Sequence, residues 1–268
     1  MPITMDDVAN MLATAQRFRI NKAQQTAEGA NTVHSLWKAA GQPAAGANPP
    51  AFSAGSGYVP TDATTGAFVF TNPATGKTYL VRAGMRTSTL ASVILYDRVW
   101  ACSGFGTVVT TAQNVTTPGS LTRPDVNGTG CEIWGEVYTA PGATGATWTV
   151  TYTNQAGTGS RTSTYTHPAN AESVGQMFNF PLQSGDTGVQ SIQSFQCSVS
   201  SGTAGDIGLT IVYPIVEIGI ATLNVMAGLD FAALGMPEIK NDACLALMVA
   251  CTTTNTGVVA GEFALGQV

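Results

Sequence analysis

The stretch "ATWTVTYTNQAGTGSRTSTYT", residues 146–166, carries a clear strand-turn-strand pattern. Side chains of an extended chain point alternately to opposite faces, so its apolar and threonine positions would separate onto two faces. The apolar face would hold Trp148, Val150 and Tyr152, and the other face the threonines at 147, 149, 151 and 153. This alternation predicts a half-buried strand whose threonines face solvent or a partner.

A second strand is predicted directly after a tight reversal. Gly157 and Gly159 can adopt the positive φ angles that such a turn requires, and residues 160–166 are again β-branched and hydroxyl-rich. The two strands therefore predict a hairpin. Because the hairpin holds no group that titrates near neutral pH, it predicts architecture rather than chemistry.

Strand patterns continue along the chain from Tyr58 to its end. Nine or ten apolar or alternating segments are separated by turn signals, which favours a sandwich or barrel. They lie at 67–70, 78–83, 90–101, 132–140, 146–166, 176–182, 189–200, 207–220, 244–251 and 257–268. The segment "CLALMVAC" (244–251) is apolar at both parities and predicts a central strand covered on both faces.

The N-terminal part of the chain predicts helix instead. Thr4 followed by Asp7 suggests a capping box, and the apolar spacing after it predicts a helix over about 5–28. A second short helix is predicted from Asn31 to Gly41, followed by a Pro/Gly/Ala/Ser linker over 41–57. The prediction is a mainly β protein: a jelly-roll-like antiparallel β-sandwich (58–268) preceded by a helical N-terminal arm and linker (1–57), the arm lying across another subunit.

Charge is scarce in this chain. Only 10% of its residues are charged, against about a quarter in ordinary soluble domains, while hydrophobic residues make up 44%. Such a surface suits a subunit that packs among copies of itself or other proteins. With a net charge of −5 and 11 scattered Lys and Arg residues, the chain has no basic stripe for nucleic acid.

No membrane segment or secretion signal is predicted. The N-terminus lacks a basic start and an apolar core, so we expect folding in the cytoplasm. The apolar stretch 208–236 is interrupted by Pro214, Glu217, Asn224 and Asp230, which predicts buried strands rather than a membrane span.

The cysteines predict neither a metal site nor a disulfide framework. They are five in number and form no CxxC pair, so they cannot all pair within one chain. We expect reduced thiols that act as small buried hydrophobic groups. They stand at positions 102, 131, 197, 244 and 251.

Two kinds of turn motif can be interpreted either as structural turns or as ligand-binding sites. Gly76-Lys77-Thr78 resembles the end of a phosphate-binding loop, but Thr71 replaces the required glycine and a strand follows, which favours a hairpin turn. The turns "GDTG" (185–188) and "GDIG" (205–208) could offer Asp186 and Asp206 to a cation, but no further acidic ligand lies within either turn. Turns are favoured, with cation binding left open.

Catalytic candidates are few. Glu132 and Glu136 flank Trp134 on one strand face, but at about 3.3 Å per residue their carboxylates lie roughly 13 Å apart, beyond either glycosidase geometry. A solvated strand face is the favoured interpretation. His34 and His167 belong to no metal spacing and no recognisable triad. We therefore predict a protein that is not an enzyme, with no catalytic, cofactor-binding or metal-binding residues and no cofactor.

Four segments, in order along the chain, resemble a group of tailed-bacteriophage virion proteins associated with the capsid. They are "LYDRVW" (95–100), "WTVTYTNQAGTGSRTS" (148–163), "FPLQSGDTGVQSIQSF" (180–195) and "TAGDIGLTIVYPI" (203–215). The resemblance covers roughly residues 90–215 and implies a β-rich virion subunit similar in plan to head decoration or cement proteins. It implies no catalytic residue.

The resulting functional prediction is a structural subunit of a bacteriophage virion. We expect a capsid decoration or cement protein that is assembled in the host cytoplasm and stabilises the head by contacts with its own copies and the major capsid protein. A homo-oligomer with closed symmetry is expected, as a trimer or another ring. The alternatives are a neck, tail or tail-tip subunit, or a receptor- or carbohydrate-binding virion module using exposed aromatics such as Trp134 and Tyr138.

Overall fold

The computed structural model describes residues 3–25, 28–52, 57–115, 121–170, 172–254 and 257–268. Within them the chain is mainly antiparallel β structure with two short helices. Its elements are α1 (Met5–Thr14), β1 (Gln16–Lys22), β2 (Val33–Ser35), β3 (Gly41–Gln42), β4 (Thr78–Arg86), β5 (Ala91–Gly106), β6 (Gln113–Asn114), β7 (Glu132–Thr139), β8 (Ala146–Asn154), β9 (Arg161–His167), β10 (Gln176–Phe180), β11 (Val189–Cys197), β12 (Asp206–Ile220), β13 (Ala227–Asp230), α2 (Phe231–Leu234), β14 (Glu238–Ile239), β15 (Leu245–Cys251) and β16 (Val259–Gln267).

The strands form a closed six-stranded barrel and two open sheets. The barrel runs in the order β10-β2-β15-β5-β12-β7, and β7 pairs with β10 to close it. One open sheet has the order β13-β4-β16-β1-β3, with β14 also paired to β4, and the other has the order β6-β11-β8-β9. The mainly β prediction is confirmed, whereas the jelly-roll arrangement is not.

Two hydrophobic clusters join the open sheets to the barrel. The first includes Leu80 and Phe263 of the six-stranded sheet and Leu95 and Leu247 of the barrel. The second unites the apolar face of the four-stranded sheet with the barrel strands β5, β7, β10 and β12. As predicted, β15 is covered on both faces, because alternate residues belong to the first cluster and to a third one around Trp37.

The hairpin of residues 146–166 is confirmed. Strands β8 and β9 pair antiparallel with Trp148 opposite Tyr165, and the apolar face of β8 is fully buried. The turn uses positive φ angles at Gly157 and Ser160 (79° and 57°), so Ser160 takes the conformation that the sequence assigned to Gly159. The hairpin therefore supplies one wall of the second cluster.

The prediction of a helix over about 5–28 is wrong beyond Thr14. The capping box of Thr4 and Asp7 starts α1 as predicted, but Ala15 is extended and β1 follows. In β1 the side chains alternate, with Arg17 and Arg19 exposed and Ile20 buried, and this two-residue period prevails once β16 offers an edge to pair with.

The predictions of a second helix (31–41) and of a linker without fixed contacts (41–57) also differ from the structure. Val33–Ser35 forms β2 and closes the barrel between β10 and β15, while the Trp37 indole donates to the Ala47 carbonyl at 2.8 Å. Ser103 bonds the carbonyls of Pro49 and Pro50, so the described part of the linker lies on the barrel. Strands on both sides of the predicted boundary at 57 and 58 thus share sheets, and residues 53–56 lie outside the described residues.

Among the residues that the structure describes, neither helix has the length and apolar character needed to span a bilayer.

Candidate functional site

The loop-like motif at Lys77 is a surface turn. Gly76 has a φ of 91°, Lys77 pairs with Glu238 at 2.6 Å, and β4 starts at Thr78. No helix begins there to place backbone N–H groups around a phosphate, so the turn interpretation holds.

The two aspartates of the Gly-Asp-x-Gly turns have protein partners. Asp186 accepts hydrogen bonds from Tyr152, Asn154 and Arg161, and these bonds, with that of Arg161 the strongest, lower its pKa to about 2. Asp206 accepts from the Gly104 N–H at 2.8 Å. Within the described ranges no group of three or more His, Cys, Asp or Glu side chains could hold a metal ion.

The expectation of a solvated strand face is wrong for Glu136, whereas Glu132 and Trp134 on the same face are partly exposed. Glu136 is fully buried and pairs with Arg98 at 2.8 Å. The same guanidinium Nη2 donates to the Tyr138 and Thr210 hydroxyls. At Glu136 the strand face points into the closed barrel, where a buried charge needs a partner inside the protein.

Arg98 is also packed against aromatic surface. Its guanidinium carbon lies 4.8 Å from the centre of the Trp37 ring, so the barrel interior encloses a cation–π contact beside the ion pair. Nearby phenol and carboxylate groups raise its pKa despite burial. No sequence pattern indicated this buried ion pair, because Arg98 and Glu136 are 38 residues apart.

One end of the barrel opens into a cavity of about 330 Å³. Its lining combines apolar side chains with two carboxylates: Ile94, Glu132, Trp134, Pro214, Ile215, Val216, Glu217 and Met248. The Trp134 indole donates to Glu132 at 2.7 Å. Tyr138, the other aromatic suggested for ligand contact, is buried and bonded to Glu136, so it is not accessible.

The two histidines lie apart and are both buried. His34 accepts from the Gly29 N–H, and desolvation lowers its pKa to about 4, so it is neutral at pH 7. His167 contacts Glu172 and stacks on Trp148. The Thr32 hydroxyl lies 2.9 Å from His34 Nε2 but is bonded to the Gly29 carbonyl, and the described contacts of His167 include no hydroxyl or thiol group.

All five cysteines are free and buried, which confirms the expectation of unpaired structural thiols. Burial raises the pKa of Cys102, Cys197 and Cys244 to about 12. A thiol with such a pKa is almost entirely protonated near neutral pH and is a poor nucleophile.

Three uncharged connections meet at one end of the molecule. They link β4 to β5 (87–90), β12 to β13 (221–226) and β15 to β16 (252–258, of which 255 and 256 lie outside the described residues). The Asn224 N–H donates to the Thr87 carbonyl, and Thr252 donates to the Leu90 carbonyl. These contacts hold the connections together as one surface, which we call the apolar end.

Large apolar side chains of the apolar end face solvent. Five of them are between 44% and 54% exposed: Leu90, Leu223, Val225, Met226 and Val258. Beside them lies an open cavity of about 590 Å³ whose lining includes Ile220 and Ala221. The described residues of the three connections carry no charge, and Arg86 stands at the rim.

The threonine face of the hairpin extends across the four-stranded sheet. Thr149 is opposite Thr164 on β9 and Gln196 on β11, and Thr151 is opposite Thr162 and Ser194. The outer face therefore displays hydroxyl and amide groups without charge, and it is the second uncharged surface of the molecule.

Comparisons with known proteins give only distant structural likeness. No protein-family model and no curated protein matches the chain. Among solved structures, the infectious bursal disease virus VP2 subviral particle matches with a TM-score of 0.21 and 9% identity, covering 95% of this chain and 81% of that chain. The infectious bursal disease virus Gt strain structure matches with a TM-score of 0.17 and 11% identity over the same shares. TM-scores this low do not establish a shared fold.

Proposed function

We propose that this protein is a structural subunit of a bacteriophage virion that works by contact rather than catalysis. The apolar end carries the proposal. A solitary soluble protein gains nothing from five exposed aliphatic side chains on loops without charge, whereas a subunit buries them against its neighbours. The resemblance of four segments to virion proteins, and the uncharged threonine face, support the same role.

Within the virion we propose a capsid decoration or cement position. A cement protein gains affinity by covering apolar surface between neighbouring subunits, and two uncharged surfaces on one chain allow it to contact two neighbours. The other copies of this chain and the major capsid protein are the proposed partners, and a ring such as a trimer is the proposed form.

Copy number in purified particles tests the position. Quantitative mass spectrometry should find on the order of hundreds of copies for a shell component, against about a dozen or fewer for a neck, tail or tip ring. A copy number of about a dozen or fewer would favour a neck, tail or tip position instead. Absence of the protein from purified particles would overturn the proposal.

Substitution tests the apolar end itself. In the variant Leu223→Ser/Val225→Ser/Met226→Ser, we expect a folded chain that no longer joins particles, because the apolar area that drives association is lost. Val126→Ser is the control, since Val126 is at least as exposed (62%) but lies outside the three connections. Particle incorporation by the triple variant at the level of the control would contradict the assigned surface.

A second candidate function rests on the cavity at the barrel mouth. Trp134 and the carboxylates of Glu132 and Glu217 suit a sugar ring, which stacks on indole and donates its hydroxyls to carboxylates. A glycan array distinguishes this candidate: binding that is lost in Trp134→Ala would favour a receptor-binding virion module.

A further inference from the structure

The buried cluster around His167 joins three parts of the chain. The imidazole Nε2 lies 3.0 Å from the Gly142 carbonyl, in the connection between β7 and β8. Nδ1 lies 3.3 Å from Glu172 Oε2, an ion-pair distance without the alignment of a hydrogen bond. Tyr165 donates to the other oxygen of Glu172 at 2.5 Å. The His167 imidazole stacks on the Trp148 ring, with 4.4 Å between the ring centres.

The geometry fixes how many protons the pair can hold. A carbonyl oxygen only accepts, so Nε2 must carry hydrogen. Nδ1 and Glu172 Oε2 then need one proton between them, either as imidazolium with carboxylate or as neutral imidazole with carboxylic acid. Without that proton, the Nδ1 lone pair would face the buried Glu172 carboxylate. With two protons, the buried His167 imidazolium would have no counter-charge, because Glu172 would be neutral.

We propose that His167 and Glu172 share one proton and thereby form a pH-sensitive latch. The latch holds Glu172, in the connection between β9 and β10 (168–175, of which 171 lies outside the described residues), against the four-stranded sheet, where the chain passes from that sheet into the barrel. It stands on this geometry alone and does not depend on the proposed function.

The surroundings of the pair contain few other titratable groups. Tyr165 from β9 and Glu172 from the connection are the ionisable side chains that contact the His167 cluster among the described residues, while β8 contributes Trp148 and β10 contributes Phe178. Burial raises the pKa of Glu172, so a proton is retained in this cluster at a pH where a free carboxyl has lost it. Tyr165 has a raised pKa and stays neutral.

The direction of the pH effect follows from counting protons. In an open, hydrated segment, free Glu and His side chains titrate near about 4.3 and about 6.5. Above about pH 6.5 the open form loses the proton that the closed form holds, so opening should increase up to about tenfold per pH unit. Below about pH 4.3 the open form takes up a second proton, and opening should increase again. The latch is therefore closed most firmly between these values.

Hydrogen exchange measures the opening. The Gly175 N–H, bonded to the Val137 carbonyl, reports the latch, and the Leu80 N–H, bonded to the Pro237 carbonyl in the six-stranded sheet, is the control amide. After correction for intrinsic exchange, we expect opening at Gly175 to rise at least tenfold between pH 6.5 and pH 9 and opening at Leu80 to stay constant. A constant value at Gly175 would overturn the latch.

Glu172→Gln isolates the shared proton. The amide can donate to Nδ1 and accept from Tyr165 without titrating, so the rise between pH 6.5 and pH 9 should disappear. The control Glu262→Gln removes an exposed carboxyl, paired with Arg82, and should retain the rise.

Tyr165→Phe keeps the shared proton and should also retain the rise, with less protection overall. If Glu172→Gln fails to fold, the Tyr165→Phe variant still tests whether His167 and Glu172 share a proton. A rise that persists in Glu172→Gln, or vanishes in Tyr165→Phe, would contradict the proton-sharing pair.

Discussion

Arg98 is the residue on which the polar interior of the barrel depends. Its side chain and that of Glu136 are both fully buried. Burying a charge is costly unless a partner compensates it, and truncating one partner leaves the other unpaired. Arg98→Ala should therefore lower the free energy of unfolding by about 3–5 kcal/mol, measured by urea denaturation.

The ion pair of Arg82 and Glu262 provides the matched control, because it lies on the surface. Arg82→Ala should change stability by no more than about 1 kcal/mol. The double variant Arg98→Met/Glu136→Gln should recover part of the loss, since it leaves no unpaired buried charge. If the double variant is less stable than Arg98→Ala, the loss does not come from an orphaned Glu136.

At the scale of elements, strand β8 has a buried face and a partly exposed threonine face. Trp148 on the buried face contacts His167, Phe178 and Phe195. Trp148→Ala should cost about 3–5 kcal/mol, enough to remove most of a domain's stability. Thr149→Ala on the other face should change stability by within about 0.5 kcal/mol.

Thermal unfolding of the two β8 variants checks these values. Equal losses from both would mean that the threonine face is packed inside the monomer. If Thr149→Ala folds normally but fails to join particles, the threonine face is a contact surface of the assembly.

At the scale of the whole molecule, the N-terminal segment completes the six-stranded sheet. β1 lies between β16 and β3 and pairs with β16 over seven residues. The Lys22 ammonium donates to the carbonyls of Ala39 and Pro43, and desolvation lowers its pKa to about 8. This segment is therefore part of the fold that positions both uncharged surfaces.

Deleting residues 1–22 should consequently abolish cooperative folding, because it removes β1 and exposes the edge of β16. Deleting residues 1–14 is the milder comparison, since it removes α1 and the packing of Ile3, Val8 and Met11 but keeps β1. The shorter deletion should stay folded with a lower melting temperature, followed by circular dichroism. A folded, monomeric product from the longer deletion would return these residues to the role of an intersubunit arm.

Local elements with strong two-residue alternation or continuous apolar character can be predicted from the sequence alone. The hairpin around Trp148 and the covered strand β15 follow from period and composition, because neighbouring side chains decide which face is apolar. The N-cap at Thr4 is equally local, since its two hydrogen bonds join residues three apart.

Features that depend on pairing between distant residues could not be predicted from the sequence. β1 became a strand because β16, more than 230 positions along the chain, offers an edge that satisfies its backbone hydrogen bonds. Glu136 became buried because barrel closure turned its strand face inward, where Arg98 compensates its charge. The apolar end likewise exists because three separate connections meet in space, and no window of the sequence contains all three.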